Sequence, residues 1–180
     1  MAVKDIIAGI IEKEGGYCND KNDLGGATCW GITEKVARAN GYAGPMQAMP
    51  RSVAEAIYLD RYYIAPGFAS LEALSPAIAE ELTDTGVNMG TTVAAAFLQR
   101  SLNVLNSQGV FYTDIKADGQ IGAATYGALK AFLAKRGKDG EKVLLKALNC
   151  LQGARYIELC EARQQNESFI YGWLSNRVSV

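Results

Sequence analysis

The spacing of apolar residues at the amino end constrains the fold of this chain more than any other feature. They recur at intervals of three and four positions, as one face of an α-helix requires: Val3, Ile6, Ile7, Ile10 and Ile11. Gly15 and Gly16 follow, where a helix commonly ends in a left-handed residue. The pattern predicts an amphipathic helix that ends near Glu14 and packs its apolar face into a core.

Glu14 occupies an unusual place on that helix. At about 100° per residue it falls within about 20° of the middle of the apolar face, whereas Glu12 points the opposite way. Burial and the negative end of the helix dipole would both disfavour its charged form. A carboxyl group that keeps its proton near neutral pH can protonate a glycosidic oxygen, so the pattern predicts a general acid. A buried glutamate that caps loop amides or pairs with an arginine is the structural alternative.

The segment after the helix, residues 18–33, is rich in turn-forming residues and includes two Asn-Asp pairs. It contains Asp20, Asp23 and Thr28. A glycosidase needs a second carboxylate across the sugar, and a hydroxyl group can position the water. The alternative is that the aspartates hydrogen-bond their own turns. The acidic spacing is not that of an EF-hand calcium loop.

Helical signals dominate the rest of the chain, and strand signals are scarce. Apolar periodicity, prolines in first turns and glycine breaks predict helices over about 33–40, 50–63, 76–89, from 91 or 92 onward, 122–136 and 140–165, with a loop over 106–121. We see no internal repeat and no low-complexity segment. The expected fold class is mainly α.

The composition excludes several kinds of chemistry. The 180 residues include no histidine, so neither a Ser-His-Asp triad nor the commonest zinc ligand is available. The cysteines lack CxxC spacing, and we expect no metal site and no cofactor; they are Cys18, Cys29, Cys150 and Cys160. Buried thiols are the favoured interpretation, and a disulfide between Cys18 and Cys29 is the alternative.

The charge distribution bears on possible partners. The net charge of −1 argues against nucleic acid. Residues 1–92 carry seven Lys/Arg against twelve Asp/Glu, and residues 93–180 carry eleven against seven. A basic second half can help to hold an anionic polymer, although a solvated helical face explains it equally well. The longest uncharged stretch, 85–99, is too short to span a bilayer, so we expect no stable membrane insertion.

Short motifs follow one another along the whole chain. In the first half these are EGGY (14–17), ND (19–20), Asp23, GGAT (25–28), GIT (31–33) and DTGVNMG (84–90). In the second half they are LQRSLN (98–103), DGQIG (118–122) and GWLSNRV (172–178). The ordered series resembles glycoside hydrolase family 108, endolysin-like N-acetylmuramidases of phages and bacteria, followed by a predicted peptidoglycan-binding region.

The resemblance implies a lysozyme-like helical fold of two packed lobes, with a catalytic region over 1–92 and a helical peptidoglycan-binding region over 93–180. It also implies cleavage of the β-1,4 bond between N-acetylmuramic acid and N-acetylglucosamine. The implied proton donor is the glutamate of EGGY, Glu14. Asp23 or Asp20, together with Thr28, are the nearest counterparts of the residues that activate water, and Thr33 stays open in place of Thr28.

Sugar contacts are expected from aromatic and amide side chains. Tyr17, Trp30 and Tyr62 can stack on sugar rings, although a tryptophan is more often a core residue. Asn88 and Asp84 can orient the sugar or the loop, or can simply satisfy a helix end.

Two other functions stay open. A lytic transglycosylase would use one glutamate and no water, whereas a non-catalytic wall-binding or structural phage protein would need no acid at position 14. In each case the expected partner is the glycan strand of peptidoglycan, and a monomer is favoured. The amino end lacks a long apolar region and a cleavage site, so we expect no signal peptide. The resemblance then implies synthesis in the cytoplasm and release to the wall by a phage or prophage holin, or by a secretion system.

Overall fold

The computed structural model describes residues 2–18 and 27–178 of the chain. Within them the fold is mainly α, as predicted, with one small sheet. The helices are α1 (Val3–Glu14), α2 (Glu34–Ala39), α3 (Arg51–Leu59), α4 (Pro76–Met89), α5 (Thr91–Val104), α6 (Ala123–Ala162) and α7 (Glu167–Arg177). The strands are β1 (Tyr17–Cys18), β2 (Thr28–Cys29) and β3 (Ile32–Thr33). The chain divides into two compact units, Met1–Ala65 and Pro66–Val180.

The first unit is built on the packing of α1 against α3. α1 buries Ile6, Ile7 and Ile11, which confirms the predicted amphipathic helix. The sheet, α2, α3 and the turn before α3 supply the rest of this core: Cys29, Ile32, Ala37, Met46, Met49, Ala54, Ile57 and Tyr58. α3 continues into one π-helical turn, Asp60–Ile64, so that the helical region extends about as far as predicted.

The sheet consists of three two-residue antiparallel strands in the order β1-β2-β3. Cys29 is its central residue, because it pairs with Tyr17 on one side and with Ile32 on the other. Trp30 and Gly31 connect β2 to β3 with φ values of 54° and 74°. Positive φ at both central residues is what a type I′ hairpin turn requires. Sequence analysis does not predict this sheet, because two-residue strands are too short to show an alternating pattern.

The second unit packs α4, α5 and α6 around one core. The hydroxyl of Ser75 accepts a 3.1 Å hydrogen bond from the backbone N–H of Ile78, and Pro76 takes the first helical position. Gly90, with φ of 97°, ends α4 just before α5 begins. The starts and ends predicted for α4 and α5 are confirmed. The large side chains of this core include Phe68, Leu71, Ile78, Leu82, Leu98, Leu102, Leu129, Phe132, Leu144, Leu148 and Tyr156.

The long α6 differs from its prediction. A turn at residues 137–140 was expected to separate two helices, but only Gly137 leaves helical geometry (φ 56°, ψ −148°). The result is a kink instead of a loop. The terminal helix α7 is not predicted from sequence; it packs on α6, with the rings of Tyr156 and Trp173 stacked 5.0 Å apart. Across the described ranges, no helix combines the length and apolarity that crossing a membrane would require.

All four cysteines are free thiols. Cys29 and Cys160 are buried, as favoured from the sequence, whereas Cys18 and Cys150 are exposed.

Candidate active site

Glu14 is the last residue of α1, and it is exposed. The prediction that it is buried is therefore wrong. Its place on the helix indicates the direction of its side chain, but burial requires another element to cover the last turn. Ile11 is the last residue of α1 that the core covers, and the chain leaves the helix at Gly15, where φ is 73°.

The stem of Glu14 is nevertheless held by the hairpin turn between β2 and β3. A Cβ atom on Gly31 would lie 2.7 Å from Cγ and 2.9 Å from Cβ of Glu14. It would also lie 2.6 Å from the hydroxyl oxygen of Tyr58. No side chain fits in this space, and the φ of 74° also favours glycine. Gly31 therefore allows Glu14 and Tyr58 to meet at the turn while Glu14 stays exposed.

Tyr58 on α3 is the buried partner in this arrangement, with only 5% of its surface exposed. Its hydroxyl donates a 3.0 Å hydrogen bond to the backbone carbonyl of Trp30. Burial, together with a smaller effect of the negative charge of Glu14, raises the pKa of Tyr58 to about 12. Tyr58 is thus a neutral donor that fastens α3 to the turn against which Glu14 lies.

Tyr62 lies beside Tyr58, with ring centroids 6.1 Å apart and planes inclined by 14°. The guanidinium group of Arg61 is 5.3 Å from the centroid of the Tyr62 ring. Tyr62 is half-buried, so part of this predicted sugar-stacking residue remains accessible next to Tyr58.

Two further aromatic residues were predicted to contact sugar. Trp30 is half-buried, and its indole N–H donates a 3.0 Å hydrogen bond to the carbonyl of Met49, which fixes the ring against the core. Tyr17 on β1 is 38% exposed, and its hydroxyl accepts a 3.2 Å hydrogen bond from the amide of Gln47. Tyr17 therefore offers the more accessible ring of the two.

The two candidate threonines differ in their contacts. The hydroxyl of Thr28 donates a long, 3.5 Å hydrogen bond to the carbonyl of Cys18. The hydroxyl oxygen of Thr33 accepts a 3.3 Å hydrogen bond from the backbone N–H of Val36 and so caps α2. Thr33 is thus engaged at a helix end, and Thr28 is the freer group. Asp20 and Asp23, between β1 and β2 in sequence, lie outside the described residues, and their role stays a prediction.

Asn88 belongs to the second unit, where it is exposed on α4. Its amide donates a 2.7 Å hydrogen bond to the carbonyl of Asp84. The carboxylate of Asp84 forms a 2.6 Å ion pair with Arg177 on α7. Both contacts lie within the second unit, and a role of either residue toward a sugar stays a prediction.

Sequence analysis does not single out Gly31 or Tyr58 as functional residues. The Trp-Gly pair between Thr28-Cys29 and Ile32-Thr33 is a weak local signal of a two-residue hairpin. Nothing local connects it to Tyr58, which follows Trp30 by 28 positions. Among residues 2–18 and 27–178, no three cysteine or acidic side chains are grouped so that they could hold a metal ion.

Comparison with known families gives this geometry a context. Residues 7–90 match the family model described as Glycosyl hydrolase 108. The first half of the chain belongs to the glycosyl hydrolase 108 family. Residues 93–178 of the hydrolase match the family model described as Predicted Peptidoglycan domain. The resemblance carried by the motifs is confirmed, and the two regions together describe a peptidoglycan hydrolase of the glycoside hydrolase class.

The match to Glycosyl hydrolase 108 extends past the first compact unit. It ends at residue 90, directly after α4, whereas the units divide between Ala65 and Pro66. The predicted division into functional domains at residue 92 stays a prediction.

The hydrolase is also similar in structure to Brucella abortus SagA, with a TM-score of 0.57 and 22% sequence identity. The similarity covers 96% of this chain and 87% of that chain. At this level of identity the likeness shows a shared fold. Among curated proteins, none matches the hydrolase.

Proposed function

We propose that the hydrolase cleaves the β-1,4 bond between N-acetylmuramic acid and N-acetylglucosamine, with Glu14 as the general acid. The observation that supports this is the setting of Glu14: an exposed residue whose stem is confined by Gly31 and Tyr58. Exposure gives a glycan strand access to the carboxyl group. Confinement limits the positions that the group samples, which favours productive proton transfer.

In this proposal a glycan strand that lies over the exposed Glu14 excludes water from the reacting carboxyl group. Tyr17, which is exposed, and Tyr62, which is half-buried, provide surfaces on which sugar rings can stack.

In this proposal the water that completes hydrolysis is activated by residues from the segment between β1 and β2 and from the start of β2. Asp23 or Asp20 is proposed to activate it, and the loosely bound hydroxyl of Thr28 is proposed to position it. A separation of about 6.5–9.5 Å between the two carboxyl groups would give inversion at the anomeric carbon, and about 5–5.5 Å would give retention. The anomer formed first, read by NMR, distinguishes these two outcomes.

The test is cleavage of purified peptidoglycan by wild type, Glu14→Gln and Glu12→Gln. Glu12 is a matched control, because it is an exposed glutamate on the same helix, where it forms a 3.7 Å ion pair with Arg51. We expect Glu14→Gln to lower turnover by about 10²–10⁴-fold, the usual contribution of general acid catalysis, and Glu12→Gln to leave it unchanged. Equal lysis by wild type and Glu14→Gln would remove Glu14 from the mechanism.

Mass spectrometry of the products tests the reaction type. Hydrolysis leaves a reducing N-acetylmuramic acid end that has gained water, whereas a lytic transglycosylase leaves an anhydro sugar. A wild-type protein that binds peptidoglycan without cleaving it would instead be a wall-binding protein.

Action as a phage or prophage endolysin is the biological setting that we propose. Co-expression with a holin in a bacterial host is expected to cause lysis with wild type and none with Glu14→Gln. Lysis by both proteins would show that lysis of the host does not depend on Glu14, and would contradict this proposal.

A further inference from the structure

The second unit contains a groove that the chemistry of Glu14 does not use. Its volume is about 470 Å³, within the usual range of small-molecule sites. Leu105, Phe132 and Val143 form its apolar wall, and Lys135, Arg136 and Asp139 supply its charged groups.

The groove lies at the kink in α6. Gly137 breaks the helical geometry there, and residues on either side of it line the groove. Gly140 also lines the groove, and a Cβ atom there would overlap Cβ of Arg136 and lie 3.3 Å from the ring of Phe132. The missing side chain of Gly140 therefore lets Arg136 and the buried ring of Phe132 pack closely between the two arms of the helix.

The charges of the groove favour an anionic ligand. The guanidinium group of Arg136 lies 5.1 Å from the ring centroid of Phe111, which orients it without neutralising it. Neither Lys135 nor Arg136 forms an ion pair with a carboxylate in the part of the chain that the structure describes. Asp139, in contrast, pairs with Lys142 at 3.2 Å. The groove thus contains two cations without a carboxylate partner among the described residues, Lys135 and Arg136, and one carboxylate that is already paired, Asp139.

The apolar part of the groove is aliphatic and accessible. Val143 is 49% exposed, although a valine in a folded domain is usually more buried. Its neighbours in the lining are the half-buried Leu105 and the buried edge of Phe132. Such a surface suits small alkyl groups, whereas sugar rings are generally held on flat, exposed aromatic faces.

We propose that this groove binds the peptide stem of peptidoglycan, not its sugar chain. The stem is a short peptide that combines alanine methyl groups with free carboxylates, which complements the aliphatic wall and the Lys135–Arg136 pair. The choice of polymer rests on the proposed function. In this arrangement the second unit would hold the wall by its peptides while the glycan strand is cleaved elsewhere on the chain.

The experiment is calorimetric titration of the full chain with the tetrapeptide L-Ala-γ-D-Glu-L-Lys-D-Ala. A second titration uses the same peptide with both carboxyl groups amidated, and a third uses tetra-N-acetylchitotetraose. We expect the free peptide to bind, the amidated peptide to bind at least about tenfold more weakly, and the oligosaccharide not to compete with it at this groove.

The variants separate the groove from general charge. The double variant Lys135→Gln/Arg136→Gln should weaken peptide binding by about tenfold or more, and Val143→Asp should weaken it as well. Both alter exposed positions, so the fold should persist by circular dichroism. The matched control Lys130→Gln/Lys146→Gln removes two exposed cations from the same helix outside the groove, and it should leave binding unchanged.

The inference is overturned if the wild type does not bind the peptide, if the control variant weakens binding as much as the groove variant, or if the oligosaccharide displaces the peptide. Its failure is distinct from failure of the proposed function, because cleavage of peptide-free glycan strands by wild type reports the Glu14 chemistry alone. Cleavage without peptide binding removes only the groove assignment. Peptide binding without cleavage removes only the proposed function.

Discussion

The hydroxyl of Tyr58 donates a 3.0 Å hydrogen bond to the backbone carbonyl of Trp30, across 28 positions of sequence. This bond fastens the hairpin turn to α3 at the point where the stem of Glu14 lies against Gly31. The position of the candidate acid is thus set by residues from three separate elements.

Tyr58→Phe removes that hydrogen bond and leaves the carbonyl of Trp30 without its partner. We expect the free energy of unfolding to fall by about 1–2 kcal/mol, the usual cost of such a loss in a buried site. Turnover should also fall, because Glu14 would be less firmly confined, while the pH profile keeps its shape. Urea denaturation and cleavage kinetics measure the two effects. Tyr171→Phe is the control, since Tyr171 is 84% exposed, and an equal loss in that variant would contradict a specific role for the Tyr58 bond.

Gly31→Ala places a Cβ atom against Glu14 and Tyr58 at a positive φ. The matched control is Gly41→Ala, because Gly41 has φ of 84° and no neighbouring atom within 4 Å of an added Cβ. Both variants should lose about 1–2 kcal/mol from the strained backbone. Gly31→Ala should lose about 1–3 kcal/mol more from the overlap, together with most of the activity. Equal stabilities for the two variants in urea denaturation would show that the contact with Glu14 does not exist.

Glu81 on α4 predicts a dependence of stability on pH. Burial raises the pKa of Glu81 to about 7 from 4.5, and the negative charge of Asp84 contributes, against hydrogen bonds from Asn149 and Thr85 that lower it. The folded protein then holds this proton more tightly than the unfolded chain. The stability that this provides is complete below pH 4.5 and is lost as the pH rises through 7, in total about 3 kcal/mol.

The variant Glu81→Gln should remove that loss, so that its unfolding free energy varies less than that of wild type between pH 4.5 and pH 8. Denaturant melts at several pH values measure this difference. Glu161→Gln, at an exposed position on α6, should follow the wild-type profile. A wild-type profile that rises over this interval, and that Glu81→Gln leaves unchanged, would show that Glu81 ionises normally.

Asp84 and Arg177 should couple strongly, because their 2.6 Å ion pair is mostly buried, with 23% and 21% of the side chains exposed. A double-mutant cycle with Asp84→Asn and Arg177→Gln is expected to give about 1–2 kcal/mol of coupling in unfolding free energy. The pair Arg155–Glu158 has a similar distance of 2.9 Å but lies at the surface, with 42% and 59% exposed, and should give less than about 0.5 kcal/mol. Similar coupling in the two cycles would contradict the role of burial.

Much of the secondary structure followed from local sequence. The apolar spacing before Gly15 predicted α1, and Pro76 and Gly90 marked the start and end of α4 within a residue. Such signals succeed because a helix is decided by residues at most four positions apart and by the groups that cap it. Local signals did not predict the kink at Gly137. Because the two arms of α6 pack on one core, residues 138–140 stay helical although their composition is typical of a turn.

Local sequence predicts the identity of the candidate acid, Glu14, but not its exposure. Its identity came from its position after an apolar helical face and from the EGGY motif, and its family is confirmed by the match over residues 7–90. The prediction that Glu14 is buried is wrong, because other elements, distant in sequence, decide whether a side chain is covered.

Local sequence patterns predict most of the helices, the family and Glu14 as the acid to test. The exposure of Glu14, the contact of its stem with the turn at Gly31 beside Tyr58, and the cationic groove at the kinked helix are seen only in the folded chain. The physical reason is range: backbone hydrogen bonds and helical periodicity act between near neighbours in sequence. Burial and the meeting of side chains instead depend on contacts between residues that only the folded chain brings together.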